Sequence, residues 1–310
     1  MGLYSFIEKY VGFLKRKAYS SLTIDSYSRE IRQFLRFLTE YYPRIAAPTE
    51  VKREVIVDYQ DYLGERRTRA DRPLSNRTIC GKLTALKAFF RFLCDEDYIV
   101  SNPMRNIAFP KEEKRIPKSV LTEKEVKLIL ESCDTRSPLG LRNRAILEFL
   151  YSCGIRTSEL CNLKVQDLSL RDQTVLIEKG KGNISRLVPI GQYATFYIEE
   201  YLKKGRKYLF RGKRNDPGNL FLTQLGNPFD RKSINKSVMK PIQRRLNLRK
   251  NLTVYSFRHA VATHLLHHKV DVAYIAQLLG HRSLNTTQQY LKIEIGDLKR
   301  MHALYHPREK

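Results

Sequence analysis

The stretch from residue 252 to residue 295 decides the fold, and its informative segments read LTVYSFRHAVATHLL (252–266), QLLGHRS (277–283) and TTQQYLKI (286–293). It carries Arg258, then His281 in the next predicted loop, and Tyr290 nine residues later. Apolar residues at helical spacing predict helices over about 256–268, 271–279 and 284–298. A cation, a proton donor and a hydroxyl nucleophile in this arrangement indicate chemistry on a phosphodiester.

The chain is strongly basic. It has 310 residues and a formal charge of +25 at pH 7, from 57 Lys and Arg against 32 Asp and Glu. This excess favours a polyanionic partner, and charge alone leaves DNA, RNA and anionic membrane open. A membrane partner is disfavoured because the chain has no run of about 18 apolar residues. Five cysteines without a C-x-x-C motif indicate reduced core residues of a cytoplasmic protein.

The first third of the chain predicts four amphipathic helices, because apolar residues recur there at the spacing of one buried helix face. The fourth helix begins after Ser75. Its outer face carries four cations, Arg77, Lys82, Lys87 and Arg91. Two interpretations remain open for them, a solvated surface and a clamp on a nucleic-acid backbone.

The segment NPMRNIAFPKEEKRIPK, at 102–118, is the predicted domain boundary because it combines three prolines with a charge run. We therefore predict an amino-terminal helical domain at 1–107, a linker at 108–118 and a second domain at 119–310. In the second domain, β-type runs at 174–177 and 185–188 flank KGKGN and predict a β-hairpin. The remaining pattern is helical, so the fold class is mainly α with a small β-sheet.

Four motifs, in this order, resemble those of the tyrosine recombinases of the phage-integrase and Xer type. They are GIRTSEL (154–160), GKGNISRLVPIG (180–191), YSFRHAVATHLL (255–266) and LLGHRSLNTTQQY (278–290). The resemblance covers essentially the whole chain. It implies a SAM-like helical core-binding domain followed by an α/β catalytic domain. It also implies a carboxy-terminal tail that docks on a neighbouring protomer through Leu298, Met301 and Leu304, although a self-packed end fits the sequence equally.

The phosphate-binding residues are expected to be arginines. Negative charge grows on the non-bridging oxygens during phosphoryl transfer, and a guanidinium donates to them in a planar fork while staying charged. Arg156 and Arg258 fit this role. The resemblance implies that Glu159, three residues after Arg156, supports the site, and a carboxylate on the helix surface is the alternative.

The resemblance assigns the remaining roles. His281 contacts the scissile phosphate, and Tyr290 attacks it to give a covalent 3′-phosphotyrosyl link. Lys181 protonates the departing 5′ oxygen, with Lys179 as the competing assignment. The link conserves the bond energy, so no ATP is needed. The resemblance also implies no cofactor, and cationic side chains in place of a metal.

One position departs from the family pattern. Tyr255 stands three residues before Arg258, where the family usually has histidine. A phenol donates a hydrogen bond but is a weaker base near neutrality, so the identity of the general base is open. His259 is expected to be structural because it lies about 100° around the helix from Arg258.

Three further histidines, His264, His267 and His268, have a spacing compatible with metal ligation. No cysteine or acidic partner lies near them in sequence, so a packed helix is the favoured interpretation.

The resemblance implies a site-specific DNA recombinase that closes as a C-shaped clamp on duplex DNA. A homotetramer would join two sites through a Holliday junction, with monomers or dimers off DNA. The expected location is the cytoplasm and nucleoid of a prokaryote, and the role is mobile-element integration or excision, or resolution of replicon dimers. The alternatives are a telomere resolvase, suggested by Tyr255, a type IB topoisomerase, and a DNA-binding accessory protein without catalysis.

Overall fold

The computed structural model describes residues 3–68, 70–111, 120–178, 185–210, 216–280 and 295–308. The chain divides into two compact units, Met1–Ile116 and Pro117–Lys310. Each has its own hydrophobic core. The structure confirms the predicted fold class, since it is mainly helical with one small antiparallel sheet. None of the helices within the described ranges is long and apolar enough to span a bilayer.

The first unit contains the four predicted helices. They are α1 (Ser5–Arg16), α2 (Ser21–Tyr41), α3 (Arg53–Glu65) and α4 (Asn76–Asp95), with a short 3₁₀ turn (Pro48–Glu50) before α3. Serine hydroxyls begin two of them: Ser20 accepts from the Thr23 amide and Ser75 from the Thr78 amide. These side chains satisfy amide groups that a helix start leaves without an intrahelical partner.

The core of the first unit is rich in aromatic rings. Phe34 meets the edge of Tyr59 at 5.0 Å between ring centroids, and Tyr10 meets Phe89 at 5.4 Å. Such edge-to-face pairs add to the stabilisation that area burial provides. The unit is therefore held mainly by apolar packing between its helices.

The chain beyond α4 stays attached to the first unit up to residue 111. Met104 is fully buried in its core. The Gln60 amide donates to the Ala108 carbonyl at 3.2 Å, and the Asn76 amide donates to the Lys111 carbonyl at 2.8 Å. The sequence predicts that the linker begins at residue 108. In the structure, Ala108 and Lys111 still accept hydrogen bonds from α3 and α4.

The second unit is built around α6, a buried helix. Its helices are α5 (Glu123–Glu131), α6 (Pro138–Cys153), α7 (Thr157–Asn162), α8 (Gln192–Glu200), α9 (Lys207–Phe210), α10 (Lys240–Arg245), α11 (Val254–His267), α12 (Val272–Leu279) and α13 (Ile295–Tyr305). Two π-helical segments, Tyr201–Arg206 and Asn235–Met239, precede α9 and α10, and a 3₁₀ turn (Val165–Asp167) follows α7. Residues 141–153 of α6 are almost all buried, so the other helices pack around it.

The sheet has three strands in the order β1 (Leu168–Ser169), β2 (Thr174–Ile177) and β3 (Arg186–Pro189). The β2 and β3 strands pair antiparallel, with Val175 opposite Val188 and Ile177 opposite Arg186. This confirms the predicted hairpin. The two-residue strand β1 was missed, because so short a run carries no alternation of apolar and polar residues.

The end of the described chain packs on its own unit. His302 donates to the Ser152 carbonyl at 3.0 Å, and His306 donates to the Tyr151 carbonyl at 2.7 Å. Of the tail residues predicted to contact a neighbour, Met301 packs against the core and Leu304 is 55% exposed. The side chain of Leu298 lies outside the described residues. The described end of the chain therefore contacts its own unit, and the docking of the tail on a neighbouring protomer stays a prediction.

Candidate active site

An open cleft of about 380 Å³ brings distant parts of the second unit together. It is lined by Ile155, Arg156, Thr157, Ser158, Arg231, Val254, Tyr255 and Arg258. Two of the predicted phosphate ligands therefore line one cavity although about a hundred residues separate them. The lining is basic, since three of these residues are arginines and none is acidic.

Arg258 is fixed in place by backbone carbonyls. It lies in the second turn of α11, whose start is capped by Thr253. Its two terminal nitrogens donate to the carbonyls of Gly154 and Leu279, both at 2.7 Å. Burial, with a smaller contribution from the neighbouring Arg156, lowers the pKa of Arg258 to about 10. A pKa of 10 still leaves the guanidinium charged at neutral pH.

Arg156 is placed by the turn between α6 and α7. Helix α6 ends at Gly154, whose φ of 58° is left-handed and favours glycine. Arg156 then occupies the position before α7, where its amide donates to Glu159 at 2.8 Å. Its guanidinium donates to Glu159 at 2.9 Å and to the Gly280 carbonyl at 2.7 Å. The side chain remains 39% exposed, so part of it faces the cleft.

Glu159 joins Arg156 to a second arginine that the sequence analysis missed. Arg186, the first residue of β3, donates to the two carboxylate oxygens at 2.9 and 3.0 Å. Burial opposes the charge on Glu159, but hydrogen bonds from Arg186 and Arg156 lower its pKa to about 2. Arg186 stands in one of the motifs that suggested the family, yet nothing in a strand residue signals a partner 27 positions away.

The end of α12 organises all three of these arginines. The carbonyls of Leu278, Leu279 and Gly280 accept from Arg186 (3.4 Å), Arg258 (2.7 Å) and Arg156 (2.7 Å) respectively. The last carbonyls of a helix lack intrahelical partners and form its negative end, which favours cations. The helix terminus therefore acts as a scaffold for the arginine cluster.

Gly280 is required at this terminus for two reasons. Its φ of 63° is left-handed, and a Cβ atom would lie 2.9 Å from the central guanidinium carbon of Arg186. A larger residue would therefore strain the turn and displace Arg186.

Tyr255 lies at the cleft, one turn before Arg258, and is 72% exposed. Its hydroxyl is thus accessible to a ligand. The ring of His259 lies almost parallel to it, with centroids 6.3 Å apart. The side chain of His259 is exposed, and its structural role stays a prediction. Residues four apart on a helix share a face, which accounts for the contact.

Arg231 is the third arginine of the cleft and was also missed by the sequence analysis. It stands in a turn in which Asp230 accepts from the amides of Lys232 and Ser233, both at 2.7 Å. The Arg231 side chain is exposed. A single basic residue in a polar turn has no distinguishing pattern, so only the tertiary structure places it at the site.

Four predicted positions, Lys179, Lys181, His281 and Tyr290, lie outside the described residues, and their roles stay predictions. The strands β2 and β3 flank the segment that contains Lys181. His281 directly follows Gly280, the residue whose carbonyl binds Arg156.

The four cations predicted on α4 fall into two groups. Arg77, Lys87 and Arg91 are exposed. Lys82 points to α2 instead, where it contacts Glu30 at 2.5 Å and Gln33 at 2.6 Å and is only 15% exposed. At about 100° per residue, Lys82 lies on the opposite side of α4 from the other three. This corrects the prediction that all four share one outward face.

Two of the three histidines with metal-like spacing, His264 and His268, have polar protein partners. His264 is buried, and its ring nitrogens contact the Tyr151 hydroxyl at 2.9 Å and the Leu121 carbonyl at 2.8 Å. His268 contacts Glu123 at 2.9 Å. No group of three or more potential ligands occurs in the part of the chain that the structure describes. The spacing reflects helix packing.

The comparisons with known proteins match both units. The model of the phage integrase family matches residues 119–295, and that of the phage integrase N-terminal SAM-like domain matches residues 7–97. Tyrosine recombinase XerC of Bacillus pumilus is 38% identical over 296 residues, covering 94% of this chain and 92% of its own. Tyrosine recombinase XerD of Halalkalibacterium halodurans is 35% identical and covers 97% of both chains.

Among solved structures, a lambda integrase tetramer bound to a Holliday junction has a similar fold. Its TM-score is 0.66 at 19% identity, with 95% of this chain and 81% of that chain covered. The family models and the Xer relatives show that the chain belongs to the phage integrase family. Within that family it is a tyrosine recombinase of the site-specific DNA-recombining class, similar to XerC and XerD.

Proposed function

We propose that the chain cleaves and rejoins duplex DNA through a covalent 3′-phosphotyrosyl intermediate, with Tyr290 as the nucleophile. The observation that carries the proposal is the basic cleft in which Arg156 and Arg258 are held by fixed partners while part of Arg156 stays accessible. Preorganised donors stabilise the charge that develops on a phosphoryl group, because they need no reorganisation during the reaction. Burial of Arg258 strengthens its contribution by excluding water.

The remaining roles complete the reaction. Arg156 and Arg258 bind the non-bridging oxygens, and His281 donates to the same phosphate. The Tyr290 hydroxyl gives up its proton to solvent and attacks the phosphorus, the bond from phosphorus to the 5′ oxygen breaks, and Lys181 protonates the 5′ oxygen that leaves. The hydroxyl of Tyr255, which is exposed, donates a hydrogen bond to the phosphate. The reverse attack by a 5′ hydroxyl rejoins the strand, so the cycle consumes no ATP, and the cationic side chains take the place of a metal ion.

The proposed assembly is a homotetramer on two DNA sites that exchanges strands through a Holliday junction. The lambda integrase of similar fold is a tetramer bound to such a junction. Exposed Arg77, Lys87 and Arg91 are proposed to contact the DNA backbone from the first unit. The proposed setting is the bacterial cytoplasm, where the protein serves a mobile element or resolves replicon dimers. The DNA that flanks the gene distinguishes these two roles.

The proposal is tested with nicked duplexes that trap the covalent intermediate, tiled across the DNA that flanks the gene. The protein should form an adduct that survives denaturation, and Tyr290→Phe should bind the same DNA without forming it. Tyr208→Phe, which removes the hydroxyl of an exposed tyrosine outside the cleft, should form the adduct at the rate of the unmodified protein. An adduct with Tyr290→Phe would refute the nucleophile assignment.

A further inference from the structure

The contact between Arg186 and Glu159 has a role beyond folding. We propose that Arg186 is a positioning residue for the phosphate-binding arginine: it fixes Glu159, and through Glu159 it fixes Arg156 at the cleft. This inference rests on the proposed function, in which Arg156 binds the scissile phosphate. Arg186 itself is not among the residues that line the cleft, and its proposed action on Arg156 runs through Glu159.

The charges of the cluster support this role. Arg156 and Arg186 donate to the same carboxylate oxygen, each at 2.9 Å, and Arg186 also donates to the second oxygen. With Arg156 alone, the carboxylate would neutralise the cation that has to bind phosphate. With Arg186 and Arg258 included, three guanidinium groups stand against one carboxylate. The cluster therefore keeps positive charge for the ligand.

Within this network, Glu159 and Arg186 are much less exposed than Arg156. The Glu159 side chain is 2% exposed and that of Arg186 is 15% exposed, whereas that of Arg156 is 39% exposed. A carboxylate so deeply buried requires a partner that is always charged and donates to both oxygens, which a guanidinium provides. Arg186 is thus the buried support, and Arg156 is the accessible end of the same network.

Arg186 also links two segments that lead to predicted site residues. It begins β3, the strand that follows the segment containing Lys181, and it donates to the Leu278 carbonyl at 3.4 Å near the end of α12. Gly280, the residue before His281, approaches its guanidinium so closely that a Cβ atom would displace it. One side chain therefore joins β3, α7 and the end of α12.

The test is a double-mutant cycle on Arg186→Gln and Glu159→Gln. DNA affinity, thermal stability and the single-turnover rate of adduct formation are measured for each variant. Arg186→Gln should slow adduct formation by about tenfold to a hundredfold, which is the loss typical of removing a residue that orients a metal ligand. The affinity for DNA should change little. In the Glu159→Gln background the same change should cost less, because the charge that Arg186 neutralises is gone.

The pH dependence separates positioning from folding. Glu159 is faced by Arg156 from the start of α7, by Arg186 from β3 and by Arg258 from α11. Without Arg186, the pKa of Glu159 rises, since the hydrogen bond from Arg186 is the largest contribution that lowers it. The rate of Arg186→Gln relative to the unmodified protein should then fall as the pH decreases. The doubly substituted protein should show no such fall.

The outcomes are distinct. Losses that are additive across the cycle, or an Arg186→Gln variant that reacts at the unmodified rate, would overturn the proposed role of Arg186. If Arg186→Gln does not fold, the cycle is run with Arg186→Lys, which keeps the charge and loses the fork; a slowed rate at unchanged stability supports the proposal and an unchanged rate overturns it. Absence of any adduct with the unmodified protein would overturn the proposed function, and the role of Arg186 with it.

Discussion

The two units bury different kinds of side chain. Among the described residues, the first unit buries one polar side chain outside its tyrosines, that of Ser28, whereas the second buries a set of charged and polar groups. They include Arg142, Arg144, Glu148, Glu159, Arg206, Arg258, His264, His302 and His306. Apolar packing tolerates many arrangements of similar volume. A buried charge needs particular partners at particular distances.

This difference indicates that the two units contribute in different ways to the proposed function. The first unit presents exposed cations on an apolar core. Such cations suit contact with the phosphates of DNA, which do not depend on the base sequence. The second unit uses buried ion pairs and carbonyls to fix the arginines of the cleft. Stability and site geometry should therefore depend on the same polar groups in the second unit, and should be separable in the first.

The largest expected effect is on stability, at Glu148. This carboxylate is 1% exposed and pairs with Arg144 at 2.9 Å and with Arg308 at 2.6 Å. Glu148→Ala leaves two largely buried cations without their partner, so it should destabilise the fold by about 3–5 kcal/mol. Denaturant unfolding measures this loss.

The matched control for Glu148→Ala is Asp95→Ala in the first unit. Asp95 pairs with Arg91 at 3.5 Å, and both side chains are more than half exposed. Its loss should cost only about 0.3–0.5 kcal/mol. Equal losses at the two sites would contradict the distinction between the units.

Acidification should destabilise the second unit selectively. The rings of His302 and His306 are buried and stack with centroids 4.5 Å apart. Burial lowers the pKa of His302 to about 4, and burial and the neighbouring His302 hold the pKa of His306 well below its usual value. Both rings are therefore neutral when folded and take up protons on unfolding below a pH of about 6.5. Stability should fall as the pH decreases from 6.5 toward 4, by about 2 kcal/mol for His302 alone at pH 5.

Calorimetry between pH 7 and pH 5 measures this effect. The double substitution His302→Gln and His306→Gln should reduce the slope of the melting temperature with pH, because glutamine does not titrate. An unchanged slope in that variant would show that other groups cause the acid sensitivity.

The smallest expected effect concerns the cations of α4. Removing Arg77 and Arg91 together should weaken DNA binding and reduce the slope of log K against log salt by about 0.9 per lost phosphate contact. Adduct formation at saturating DNA should not change. Lys82→Met is the control. Because Lys82 already pairs with Glu30, this substitution should leave the slope of log K against log salt unaffected. A salt slope that falls as much with Lys82→Met would contradict the two groups seen on α4.

Much of the fold could be predicted from the sequence. The four helices of the first unit, the hairpin at 174–189 and helices α11 and α12 follow from apolar periodicity and from cap residues such as Ser75 and Gly280. Part of the site was also predictable, because Arg156, Tyr255 and Arg258 stand in motifs at fixed spacing, and the structure places all three at one cleft.

Arg186, Arg231 and the partner of Lys82 could not be predicted. Each depends on a contact between residues far apart in sequence, which periodicity does not encode.

The sequence by itself therefore determined which segments form helices and strands, and which residue types are available for phosphoryl transfer. Both are local properties, set by backbone preference and by side-chain chemistry. Only the tertiary structure decided which arginine and lysine side chains are exposed and which are fixed by protein partners. That outcome depends on the three carbonyls at the end of α12 meeting Arg186, Arg258 and Arg156, and on the buried Glu159 between two of those arginines. Burial raises the cost of an unpaired charge, and burial exists only once the chain has folded.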